Sequence, residues 1–144
     1  MDLVDIPEYI EAIQQILNKR REQQQQPKQV HIYVSTEDPK AAHAFVAAVR
    51  ANETTRHWRI ALDVTIKELT PYRPTKGNRA SWTTRHTHGR AGLVAVGSLL
   101  VALEARDLVV TTKSNWSRLW VALHQELWGL QDDGIIVDLR PGDW

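Results

Sequence analysis

Apolar residues return at steps of three and four near the start of the chain: Ile6, Tyr9, Ile10, Ile13, Ile16 and Leu17 share one face of a helical wheel. That spacing predicts a helix that buries the shared face, and Asp5 ahead of Pro7 suits its start. In KRREQQQQPKQ the pattern fades into charge and glutamine with nothing to bury, and Pro27 blocks any continuation. This stretch reads as a solvated connector. Val30 to Val34 (VHIYV) is short and β-branched, the mark of a strand. STEDP follows as a polar turn, and Pro39 to Val49 is helical, with Asp38 or Thr36 as its cap.

The same alternation continues. Trp58 to Val64, Leu108 to Thr112 and Gly134 to Leu139 are further strand candidates. Gly92 to Ala105 is almost wholly apolar, which predicts a helix buried on most sides. WSRLWVALHQELWGL is an amphipathic helix beginning near Trp116. Thr70 to His88, with Pro71, Pro74 and Gly77 and no apolar period, is a loop of unusual length, and such loops tend to be lids or binding loops. Strands alternating with helices, the strands themselves apolar, imply parallel β/α crossovers covered on both faces. The expected fold class is α/β: a Rossmann-like parallel sheet with crossover helices.

Composition narrows this reading little. A chain of 144 residues, 42% of them apolar, suits a single domain over 1–144 with a sizeable core. A net charge of +1 and no recognised RNA or DNA motif give no argument for nucleic acid. The absence of cysteine excludes disulfides and thiolate metal sites and leaves the compartment open. The opening MDLVDIPEYIEAI lacks the basic region of a signal peptide and any apolar run long enough to insert, so no membrane segment is expected.

Candidate chemistry gathers where the strands should end, because ligands of open parallel sheets bind outside the carboxyl ends of the strands. Two polar turns belong there: Ser35-Thr36-Glu37-Asp38 and Lys113-Ser114-Asn115. At the second, free amides of a helix N-terminus together with the Ser114 hydroxyl form an anion site suited to phosphate; equally, Ser114 or Asn115 simply caps the helix. Glu37 and Asp38 could hold a metal, a ribose hydroxyl or a cation, or serve as a cap beside a solvated charge.

Between Glu68 and Glu104 no acidic residue occurs, while Arg73, Lys76, Arg79, Arg85 and Arg90 fall there with His86 and His88. A one-signed segment of this kind either offsets phosphate charge or is solvated. His86-x-His88 lacks a third ligand, so no metal is expected. Asn52-Glu53-Thr54 and Asn115-Trp116-Ser117 are glycosylation sequons, the second expected to be a poor acceptor at a buried junction. No Gly-rich dinucleotide fingerprint, phosphate-binding Walker loop, nucleophile elbow or zinc-protease motif is present.

Taken in order, VHIYVSTEDPKAA, GRAGLVAVGSLLVALEARD, VVTTKSNWSRLW and IIVDLRPGDW resemble the C-terminal nucleotide-binding half of GDP-fucose-dependent fucosyltransferases, most nearly the α1,6 type. The resemblance spans Tyr9 to Trp144 and implies one half-domain of a GT-B enzyme. It implies inverting, metal-independent transfer of fucose from GDP-fucose to a glycan or glycoprotein acceptor, with no separate cofactor, in the Golgi or secretory pathway. By position it assigns Glu37 and Asp38 to the acidic pair beside the nucleotide, Ser114 to the diphosphate and Asn115 to the sugar. Arg90 joins them from the basic interval as a nucleotide-sugar contact.

Two departures qualify what is implied. The family's H-x-R-R motif, which binds the β-phosphate, would precede the helix containing Tyr9, and Leu99 stands where the family often has Asn or Asp. The expectation is therefore a fragment, inactive or nearly so in isolation, whose sheet has an edge left unpaired or covered only by the helix near Tyr9. The alternative is a non-catalytic Rossmann-like binding or interaction domain. Six tryptophans make self-association plausible.

Overall fold

The computed structural model describes residues 4–36, 38–63, 87–128 and 133–141. Helix α1 (Ile6–Glu22) starts at Asp5, whose amide N–H donates to the Glu8 carboxylate at 3.1 Å, with Pro7 in the first turn. Lys19, Arg20 and Arg21 occupy the last turn, where positive charge opposes the helix dipole. Strand β1 (His31–Val34) leads into α2 (Pro39–Ala51), and β2 (Arg59–Leu62) follows. Next come α3 (Arg90–Leu103), β3 (Leu108–Val110), α4 (Asn115–Trp128) and β4 (Ile136–Asp138).

The strands pair in parallel, as their apolar runs and intervening helices require. β1 lies beside β2 with His31 opposite Arg59 and Val34 opposite Leu62. β3 lies beside β4 with Leu108 opposite Ile136 and Val110 opposite Asp138. The described residues thus form a mixed α/β structure with four helices and two small parallel sheets of two strands each. The single continuous sheet expected from the sequence is absent among them. Each strand-helix-strand unit pairs its own two strands, and among the described residues no strand joins β1 to β3.

Each pair has its own core. Phe45 and Val49 of α2 and Trp58 before β2 are buried together, and α1 lays Ile6, Ile10, Ile13 and Leu17 against them. Burial of such side chains contributes roughly 1.5–3 kcal/mol each. Leu108, Val110 and Val121 form the second cluster, flanked by Ile136. α1 packs with α2, and α3 with α4. The Trp128 indole N–H donates to the Leu103 carbonyl at 3.0 Å, satisfying one of the carbonyls that the end of α3 leaves free.

Two expectations are corrected. The connector is not wholly solvated, because α1 continues through Lys19–Arg21 and Arg20 is only 2% exposed. The Arg20 guanidinium donates to both carboxylate oxygens of Asp107, to the Asp133 carboxylate and carbonyl, and to the Gln25 side chain at 2.8 Å. A buried cation is tolerable only when paired in this way. Nor is α3 buried on most sides: Ala91, Ser98, Leu99, Ala102 and Leu103 face inward, whereas Leu93, Val96, Leu100 and Val101 are exposed. The apolar composition of α3 exceeds what its one packed face uses.

A tight contact fixes the approach to β4. His124, 1% exposed, places Nε2 at 3.0 Å and 2.8 Å from the carbonyls of Ala105 and Arg106. A Cβ on Gly134 would lie 2.6 Å from its Cε1 and 3.1 Å from the Arg106 carbonyl oxygen. Gly134→Ala is therefore expected to destabilise the domain by about 1–3 kcal/mol through overpacking, measured as a lower midpoint in urea unfolding. An unchanged midpoint would show that the His124 ring can yield.

Candidate functional site

The polar groups that end the strands organise two separate turns. After β1, Asp38 caps α2: its Oδ1 accepts the Lys40 amide at 2.9 Å, and its own amide donates to the Thr36 hydroxyl at 3.1 Å. Asp38 is exposed, and the capping alternative weighed from the sequence is the contact seen; Glu37 lies outside the described residues. Beneath this turn sits an acid that sequence reasoning missed. Asp63, at the end of β2 and 2% exposed, accepts the Ser35 hydroxyl at 2.6 Å and the Ser98 hydroxyl at 2.6 Å. Charge-assisted hydrogen bonds of this kind offset the desolvation of a buried carboxylate. Burial holds the nearby Tyr33 phenol above its ordinary range, and the Asp63 charge acts in the same direction.

Ser98 also bears on the position of Leu99. Leu99 is a buried core residue of α3, and its neighbour Ser98 supplies the polar contact from this helix.

After β3 the chain turns through Thr111–Ser114 into α4. The Ser114 amide donates to the Thr111 carbonyl at 3.1 Å, and its carbonyl accepts the Arg118 amide at 3.1 Å, so Ser114 occupies the cap position. Its hydroxyl makes no hydrogen bond among the described residues. Asn115 is the first helical residue and is exposed. Burial therefore does not explain poor acceptance at the second sequon, as the sequence reading supposed. Asn52, exposed at the end of α2, already accepts the Thr54 amide at 2.9 Å and hydroxyl at 2.8 Å.

The turn is anchored from β4 and from α4. Asp138 accepts the amide of buried Thr112 at 3.1 Å, the Thr112 hydroxyl, and the Arg140 amide at 3.1 Å. Arg118 Nε donates to the Thr112 carbonyl at 2.7 Å. Arg140 in turn grips Glu8 of α1 through two bonds of 2.8 Å and 2.9 Å. That contact, helped by the Asp5 amide, holds the Glu8 carboxyl below the usual carboxylate range. Neither Asp138 nor Arg140 announces this role locally, because their partners lie 26 and 132 residues away.

Arg90 opens α3 after Gly89, whose φ of +83° is a left-handed conformation that glycine adopts without strain. Arg90 is exposed; its amide donates to the Thr87 carbonyl at 2.9 Å, and the Ala91 amide donates to the Thr87 hydroxyl at 3.1 Å. The basic residues Arg73, Lys76, Arg79 and Arg85, with His86, lie outside the described residues. Among those described, no hydrogen bond or ion pair joins Ser35, Thr36 or Asp38 to Lys113, Ser114 or Asn115. Among the described residues no three His, Asp or Glu side chains gather as a metal set, and no helix is long and apolar enough to cross a membrane. Chemically, the second turn offers backbone N–H groups at the start of a 14-residue helix, the Ser114 hydroxyl and the exposed Lys113, which together suit an anion.

No family model, no curated protein and no solved structure matches this chain.

Proposed function

We propose that the domain binds GDP-fucose across the carboxyl ends of β1 and β3, as the Rossmann-like nucleotide-sugar half of a GT-B fucosyltransferase. The observation that carries the reading is the Thr111–Ser114 turn, held by Asp138 and Arg118 while the amides of α4 and the Ser114 hydroxyl remain available to a diphosphate. Asn115 would meet the sugar, Arg90 would supply positive charge, and Glu37 with Asp38 would lie beside the nucleotide.

In the transfer, an acceptor hydroxyl of a glycan or glycoprotein attacks the anomeric carbon. A new C–O bond forms as the bond to the β-phosphate breaks, the configuration inverts, and negative charge passes to the leaving GDP. A helix N-terminus lowers the cost of that charge. No residue of this chain is assigned to take the acceptor proton, and the chain alone is expected to transfer fucose poorly or not at all. A secretory or Golgi location follows from the same reading.

GDP titration of the wild-type chain and Ser114→Ala tests it, with weaker binding by the variant expected. The exposed apolar residues of the packed pair α3 and α4, among them Leu100 and Trp116, favour a second reading. In that reading the domain is a non-catalytic interaction module that associates with itself or with a partner.

A further inference from the structure

Among the described residues β1 and β3 each have one edge without a strand partner, and one additional strand would satisfy both. In β1 the carbonyls of Val30 and Val34 accept from Arg59 and Asp63 at 2.9 Å and 2.8 Å. In a parallel strand the bonding direction alternates, so the backbone groups of His31, Tyr33 and Ser35 point to the opposite edge. In β3 the Leu108 amide donates to Ile135 at 2.8 Å, and the Val110 carbonyl accepts from Leu139 at 2.9 Å. Val109 and Thr111 therefore point away from β4. Neither outer edge pairs with a strand among the described residues, and an open edge is a template for strand addition.

Helix α1 contacts both pairs. Its apolar face joins the core of the first pair, the Phe45–Val49–Trp58 cluster against which Val30, Ile32 and Val34 also pack. Its two ends are tied to the second pair: Glu8 to Arg140 just beyond β4, and Arg20 to Asp107 just before β3. α1 thus runs antiparallel to β3 and β4, its start at their carboxyl ends, which is the course of a crossover helix. A strand that feeds such a helix ends at the carboxyl edge and lies parallel to the strand that follows it.

We infer that a fifth, parallel strand joined to the N-terminal end of α1 inserts between β1 and β3, giving the order β2-β1-inserted strand-β3-β4. Its chemistry is that of a strand covered on both faces, short, apolar and β-branched. The chain then winds outward in opposite directions from the inserted strand, and such a reversal point is where open α/β sheets bind ligands. The inserted strand would end between the Ser35–Asp38 and Lys113–Asn115 turns. The inference stands on strand order and needs no nucleotide.

The test compares three proteins by amide hydrogen exchange: the 144-residue chain, the chain with Thr-Val-Ile-Val-Thr-Val fused ahead of Met1, and a control extension with proline at its third and fifth positions. Circular dichroism verifies equal helix content. The strand extension is expected to slow exchange at both Tyr33 and Val109 by about tenfold or more, and the proline control to leave both fast, because proline cannot complete the ladder. Three results would overturn the inference. They are exchange at Tyr33 and Val109 already as slow as at Ile32 in the unextended chain, no slowing with the extension, or slowing at only one of the two edges.

Discussion

Replacing Arg20 with methionine is expected to cost about 3 kcal/mol of stability. In a domain of this size that lowers the thermal midpoint by roughly 10 °C. The loss is not one of packing, since methionine fills most of the same volume. It arises because the Asp107 and Asp133 carboxylates, 22% and 32% exposed, lose their hydrogen-bonded buried partner and keep only the longer contacts of Arg106, at 4.0 Å and 3.5 Å. Asp107 also accepts the Ile135 amide at 2.9 Å, so the entry to β4 loosens with it. Lys19→Met and Arg21→Met, on exposed neighbours, are expected to change stability by less than about 0.5 kcal/mol. Arg20→Lys should recover only part of the loss, because one ammonium cannot reproduce the planar fork that serves two carboxylates. Equal urea midpoints for Arg20→Met and Lys19→Met would show that this ion network does not hold α1 to the second strand pair.

The second large effect is expected at Asp138. Asp138→Ala removes the carboxylate that accepts the amide and hydroxyl of buried Thr112 and the Arg140 amide. A buried donor left unpaired costs about 1–3 kcal/mol, so a total of roughly 3 kcal/mol is expected in urea unfolding. Asp138→Asn should lose less, since its amide oxygen still accepts. The loosened turn is the one that presents Ser114, so Asp138→Ala is also expected to weaken GDP binding under conditions where the variant remains folded. Wild-type stability in Asp138→Ala would mean that Arg118 alone fixes the turn.

How much of this was legible beforehand follows from whether a signal is local. The helix over Ile6–Leu17, its start at Asp5, the Asp38 cap and all four strands are written in spacing and turn chemistry a few residues long. The strand ends came out a residue or two shorter than the sequence indicated, as at Thr111 and Thr112, because the ladder stops where its partner stops. Arg20 read as solvated because its partners lie 87 and 113 residues onward. Asp63 and Asp138 were silent for the same reason. α3 misled in the other direction: a run such as GLVAVGSLLVAL has no polar face to mark its exposed side. The division into two strand pairs could not be read from any single segment, because pairing partners are chosen by topology rather than by local pattern. Of the candidate site, the sequence located both turns and the Ser114 cap position, but not the acid that anchors each one.

The measurement that bears most directly on the nucleotide reading is calorimetric titration of GDP into the wild-type chain, Ser114→Ala and Asn115→Ala. Ser114 should donate to a charged diphosphate, and a hydrogen bond to a charged group contributes about 1.5–3 kcal/mol. Ser114→Ala should therefore bind GDP at least about tenfold more weakly, with its urea midpoint unchanged. Asn115→Ala, placed near the sugar, should affect GDP less. GDP binding of equal strength in all three proteins, or none in the folded wild-type chain, would contradict the account.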